Sequence, residues 1–106
     1  MKTFYIAEDY TAKSIWDQFL LVEMLTLPSK PHAWDRPENT LPEGNWEVCL
    51  CMWQHASDNA WRKAGIPKPQ FDELPCIFCV DENGTVDVQY NLADAAQAAA
   101  FIAARI

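Results

Sequence analysis

The apolar residues of this chain change their period along its length, and each change marks an element. Thr3 to Ala7 is short, aromatic and β-branched, and the Glu8-Asp9-Tyr10-Thr11 cluster that follows ends it and offers Asp9, Thr11 or Ser14 as a helix N-cap. The pattern predicts a strand running into a helix. From Ala12 to Leu27 the residues Ile15, Trp16, Phe19, Leu20, Val22 and Leu27 recur at three- and four-residue spacing, and Pro28 stops the helix. Leu21, Met24 and Leu25 widen its stripe. A helix apolar over most of its circumference is either deeply buried or half of an interface, and a homodimer through the helix at 12–27 is one use of that surface. Residues 28–45 then carry Pro28, Pro31, Pro37 and Pro42 among Ser29, Asn39, Glu43, Gly44 and Asn45, which is a loop composition of uncommon length for a compact domain. His32 and Trp34 lie inside that loop and Trp46 at its exit, and the tryptophans either pin the loop to the body or anchor a partner.

The run Trp46-Glu47-Val48-Cys49-Leu50-Cys51-Met52-Trp53 is almost continuously apolar, as in a strand of a parallel sheet covered on both faces. Ser57 caps a short helix bearing Ala60, Trp61 and Ala64, which ends at Gly65 with Pro67 beyond. Leu74-Pro75 opens a third strand, Cys76 to Val80. Asn83-Gly84 predicts a type I′ hairpin, which needs positive φ at both central residues. In the partner strand Val86, Val88 and Tyr90 alternate with Asp87 and Gln89, so it is half exposed. Asn91 is the expected cap of a last helix, with Asp94 at its third position and Leu92, Ala95, Ala98, Ala99, Phe101, Ile102 and Ile106 along one stripe.

Composition narrows the function. The chain has 106 residues, half of them hydrophobic, so it forms one domain with no room for a second core. Eight Lys and Arg against fifteen Asp and Glu give a net charge of −7, which repels a phosphate backbone and disfavours nucleic acid. No basic residue lies between Lys68 and Arg105, whereas Asp72, Glu73, Asp81, Glu82, Asp87 and Asp94 do. That face is either a solvated surface, or a docking face for a basic protein or a mimic of a polyanion. No signal peptide and no membrane-spanning apolar run are visible, so a cytoplasmic location with cysteines kept as thiols is expected.

The order β-α-β-α-β-β-α, with Pro75 opening the third strand, the Asn83-Gly84 hairpin and an amphipathic last helix, resembles the thioredoxin fold. The likeness is best over residues 46–106, from Asp58-Asn59-Ala60-Trp61-Arg62-Lys63-Ala64-Gly65-Ile66 through Leu74-Pro75-Cys76-Ile77-Phe78-Cys79-Val80 to Thr85-Val86. It implies an α/β domain over 1–106 with a mixed four-stranded sheet flanked by helices, and Pro75 as a cis-proline. Where thioredoxin-like oxidoreductases carry Cys-x-x-Cys at a helix N-terminus, this chain reads Ala7-Glu8-Asp9-Tyr10-Thr11-Ala12-Lys13-Ser14. It has no cysteine there and two carboxylates, so the redox chemistry of the family does not transfer.

Three readings of the cysteines remain. Cys76 and Cys79 are a Cys-x-x-Cys by count, but three residues apart on a strand they point to opposite faces. A thiol-disulfide oxidoreductase using Cys76 and Cys79 is the competing enzyme reading. A zinc-stapled domain using Cys49, Cys51, Cys76 and Cys79 is the competing structural one, but in a thioredoxin-like sheet the first strand separates the two pairs by two strand spacings, roughly 9 to 10 Å. Core thiols are the default. That same topology gathers Glu8, Asp9, Tyr10, Gln54, His55, Leu74 and Pro75 at one pole, the usual ligand end of an open α/β sheet. The reading that results is a non-enzymatic, redox-inactive protein-binding module with no cofactor. It would serve as an adaptor, or as an accessory or inhibitor protein of a phage or mobile element. Its contact residues are expected among Glu8, Asp9, Tyr10, His55, Leu74, Pro75, Trp34 and Trp46, and its partner is another protein with a basic surface, neither nucleic acid nor membrane.

Overall fold

The computed structural model describes residues 2–9, 19–20, 33–34 and 46–106. The elements are β1 (Lys2–Glu8), β2 (Phe19–Leu20), β3 (Ala33–Trp34), β4 (Trp46–Met52), α1 (Asp58–Ala64), a 3₁₀ turn (Phe71–Glu73), β5 (Cys76–Val80), β6 (Val86–Gln89) and α2 (Ala95–Ala103). This is an α/β architecture around a mixed, open four-stranded sheet in the order β4-β1-β5-β6. β1 runs parallel to β4 with Phe4 beside Val48, and antiparallel to β5 with Ile6 beside Ile77. β6 returns antiparallel to β5. No helix among the described residues is long and apolar enough to cross a membrane.

Alternation along the strands builds two apolar layers. Phe4, Ile6, Trp46, Val48, Ile77 and Cys79 face Leu92 and the Ala98, Ala99, Phe101 and Ile102 stripe of α2. Phe4 sits edge-on between Trp46 at 6.1 Å and Phe101 at 6.2 Å, the favourable geometry for ring quadrupoles. On the opposite face Ala7, Cys76 and Phe78 meet Trp61 of α1 and Ile66, while Tyr5, Cys51, Val80 and Val88 remain half-buried. α1 has seven residues and α2 nine.

Local signals shape α1 as expected. Ser57 accepts from Ala60 N at 3.2 Å, and Gly65 ends the helix in the left-handed region at φ +77° while donating to Arg62 O and Trp61 O. Five expectations need correction. Phe19–Leu20 is extended and pairs antiparallel with Ala33–Trp34, so the expected helix over 12–27 is interrupted and the expected Pro-rich loop over 28–45 contains a short strand. Short apolar runs fit either period, and strand pairing decided between them. The remaining residues of both segments, and with them the homodimer surface expected at 12–27, lie outside the described residues.

The hairpin is a tight turn with Gly84 N donating to Asp81 O at 3.0 Å and Asp81 N to Thr85 O at 3.2 Å. Only Gly84 has positive φ, at +80°, so this is a three-residue loop with a glycine bulge rather than type I′. Asp81 Oδ1 takes Asn83 N and Thr85 N at 2.9 Å each, and Asn83 keeps a negative φ. α2 starts later than expected, because Asp94 accepts from Gln97 N at 3.0 Å and becomes its N-cap. Asn91 instead takes φ +53° and turns the chain. Finally, β4 is an edge strand among the described residues, with Trp46 and Val48 buried but Cys49, Leu50, Cys51 and Met52 only half-buried, not one covered throughout.

Candidate functional site

The ends of β1 and β4 and the start of β5 meet at one pole of the sheet. Glu8, the last residue of β1, pairs with Met52, and its carbonyl accepts from Trp53 N at 2.8 Å. Ala7 is opposite Cys76, so the next step of the register sets Glu8 across from Pro75. The Leu74–Pro75 bond is cis. Three hydrogen bonds tie this loop to the chain leaving β6: Leu92 N to Pro75 O at 2.8 Å, Asn91 N to Glu73 O at 3.0 Å and Asn91 Nδ2 to Asp72 O at 2.7 Å. The left-handed conformation of Asn91 lets its backbone and side chain both reach the 3₁₀ turn, a conformation Asn tolerates better than most residues.

Two carboxylates are buried here, Glu8 at 2 % exposure and Asp9 at 3 %. Leu74 and Pro75 are half-buried beside them, and exposed His55 stands on the turn that leaves β4, its N–H donating to Met52 O at 3.1 Å. The structure thus gathers Glu8, Asp9, Gln54, His55, Leu74 and Pro75 around one pole. Tyr10 lies outside the described residues, as does the side chain of Trp34. Trp46 belongs elsewhere: it pairs with Lys2 at the opposite end of the sheet and is 2 % exposed in the core, so it is not a partner anchor. Its aromatic bulk packs on Phe4 instead.

An aromatic step that sequence reading did not single out stands next to the pole. Trp53 donates its indole N–H to Pro69 O at 2.9 Å, Phe71 meets it edge-on at 5.6 Å, and the Lys68 ammonium lies 4.8 Å from its ring centre. Phe71 is 54 % exposed even though its turn is braced by Gln70 N donating to Glu73 Oε1 at 2.7 Å. Trp53 was hidden as the last member of an apolar run, and Phe71 as a lone aromatic in a Pro-rich polar stretch. The available signal was an isolated Phe without periodic apolar neighbours.

The thiols are divided by the sheet. Cys79 faces α2, whereas Cys51 and Cys76 face α1 with Ala7 between them in register. The Cys51 to Cys76 separation is two strand spacings, roughly 9 to 10 Å, beyond what a disulfide spans. The zinc set Cys49, Cys51, Cys76 and Cys79 is therefore not brought together, because an ion would have to reach through the sheet. Among the described residues no group of three or more His, Cys, Asp or Glu is arranged to hold a metal. Burial pushes the Cys49 and Cys76 thiols up to about 12 and Cys51 to about 11, with Glu47 and Glu73 adding to the first two respectively. Burial also raises Cys79, against the opposing pull of Lys2 and Arg105. Such thiols are poor nucleophiles at neutral pH.

Comparisons with protein-family models, curated proteins and solved structures find no match to this chain.

Proposed function

We propose that this chain is a thioredoxin-like domain without a thiol site, which acts by binding another protein as an adaptor, accessory or inhibitor. The strand order β4-β1-β5-β6, the one parallel and two antiparallel pairings and the cis Leu74–Pro75 bond support the thioredoxin-like part of this reading. One observation carries the functional part. At the end of the central strand, where the redox relatives of such a fold would present a thiol, this chain continues through Glu8 and Asp9, both buried. Carboxylates at that place would raise a neighbouring thiol's pKa, the reverse of what thiol exchange requires.

The surface beside them suits recognition. Phe71 is a large apolar group presented on a hydrogen-bonded turn and backed by Trp53, so a partner would meet contact area that is already ordered. With a net charge of −7 and an acid-rich stretch from Asp72 to Asp94, the partner that fits best carries a basic surface.

Thiol chemistry and partner capture test this together. A brief alkylation pulse on native protein, read by intact mass, is expected to label none of the four thiols, and all of them after denaturation. In crosslinking capture with the intact chain as bait, a folded Cys76→Ala/Cys79→Ala variant is expected to retain its partner and Phe71→Ala to lose it. A thiol labelled within the pulse, or capture lost with the two cysteines while the fold persists, overturns the reading.

A further inference from the structure

β6 ends the four-stranded order, so one of its edges has no neighbouring strand among the described residues. The hairpin determines which backbone groups face that edge. Asp81 N donates to Thr85 O, and bonded and non-bonded pairs alternate along an antiparallel ladder. In the observed register the next bonded pairs are Cys79 with Asp87 and Ile77 with Gln89, so Val86 and Val88 turn their N–H and C=O groups outward. Val88 N accordingly finds its acceptor off the ladder, in Asp87 Oδ1 at 3.0 Å.

Asp87 is itself clamped. Its Oδ2 accepts from Arg105 Nε at 2.9 Å and Nη2 at 2.6 Å. Arg105 in turn donates from Nη1 to Phe101 O at 2.8 Å, with its guanidinium 3.4 Å from the Phe101 ring centre. The closing turn of the chain therefore holds a carboxylate over the middle of an open sheet edge.

That edge is complementary to itself. A two-fold antiparallel pairing that opposes the outward groups of two β6 strands sets Val88 against Val88 and Val86 against Tyr90. Val86 and Tyr90 are 36 % and 41 % exposed, so both pairs would bury apolar surface now in water. The Val88 N–H sits at the two-fold axis and would form the central pair of bonds, and it is this N–H that Asp87 occupies. We infer that the β6 edge is a strand-pairing surface that fits a second copy of this chain, and that Asp87, held by Arg105, keeps it closed. A charge on an edge strand is a known barrier to edge-to-edge association; here the carboxylate also takes the donor that pairing needs.

Sedimentation equilibrium on the full chain tests this, with circular dichroism and melting curves to verify folding. Asp87→Ala is expected to dimerise at least about tenfold more tightly than wild type. Adding Val88→Pro, which removes the outward N–H without taking a ladder bond, is expected to restore the monomer. Should Asp87→Ala fail to fold, Arg105→Ala releases the clamp without altering the strand and is expected to shift association the same way by a smaller factor. A folded Asp87→Ala or Arg105→Ala that associates no more than wild type overturns the inference, and so does a dimer indifferent to Val88→Pro.

Discussion

Cys76 follows a cis-proline and sits three residues from Cys79, a placement that by sequence alone invites a redox reading. It is fully buried, and burial pushes its thiol up to about 12. Because the folded values of Cys49, Cys51 and Cys76 lie above the unfolded value of 9.0, their contribution to stability is complete below that pH and is lost as pH rises through the folded values. Thermal midpoints are therefore expected to fall from pH 9.0 upward, and less steeply in a Cys49→Ala/Cys51→Ala/Cys76→Ala variant; a midpoint flat to pH 11 would contradict this. Asp87 works in the opposite direction. The Arg105 hydrogen bond holds its carboxyl below 3.8, so its contribution is present above that value and is lost as pH falls through the lower folded pKa. Core and surface aromatics should also separate. Phe78→Ala is expected to cost about 3 to 5 kcal/mol in denaturant melts, and exposed Phe71→Ala well under about 1 kcal/mol.

At the level of elements, two glycines do conformational work that no other residue does as well. Gly65 closes α1 at φ +77° and Gly84 bulges the hairpin at φ +80°, and a Cβ at either would meet no atom within 4 Å. Substitution by Ala is therefore a test of backbone strain alone, expected to cost about 1 kcal/mol at each site by chemical denaturation. Asn83→Gly discriminates between hairpin types. A type I′ turn would gain from glycine there, but Asn83 has negative φ and Asp81 binds its N–H, so a small loss is expected, and a gain in melting temperature would speak for type I′. Ser57→Ala, which removes the acceptor for Ala60 N, should cost about 1 kcal/mol by the same measurement.

Across the described residues the two sheet faces are covered unequally. α2 seals the layer of Phe4, Ile6, Val48 and Ile77, whereas α1 leaves Tyr5, Cys51, Val80 and Val88 half-buried. Charge is equally uneven, since every charged side chain from Asp72 to Asp94 is a carboxylate. If a basic partner is steered by that stretch, association measured by stopped flow should slow with added salt by tenfold or more between low and physiological ionic strength, on the order expected for charge-guided encounter. A rate indifferent to salt would remove the charge argument and leave the Trp53–Phe71 step to carry binding unaided.

The sequence by itself determined the local features whose causes lie within a few residues: the strand runs of β1, β4, β5 and β6, the Ser57 and Gly65 ends of α1, and a turn at Asn83-Gly84. Period and cap chemistry act over one turn of chain, so they are legible without a partner. Tertiary structure decided what depends on distant neighbours. Pairing with Ala33–Trp34 made Phe19–Leu20 extended despite a helical period. Hydrogen bonds to Asp72 and Glu73 drew Asn91 out of the cap position and left it to Asp94. Packing on Phe4 buried Trp46 and took it from the candidate surface, while the Pro69 carbonyl and Lys68 fixed Trp53 beside an exposed Phe71. The Asp87–Arg105 clamp joins positions eighteen residues apart, and only the docking of α2 against the sheet brings them within reach.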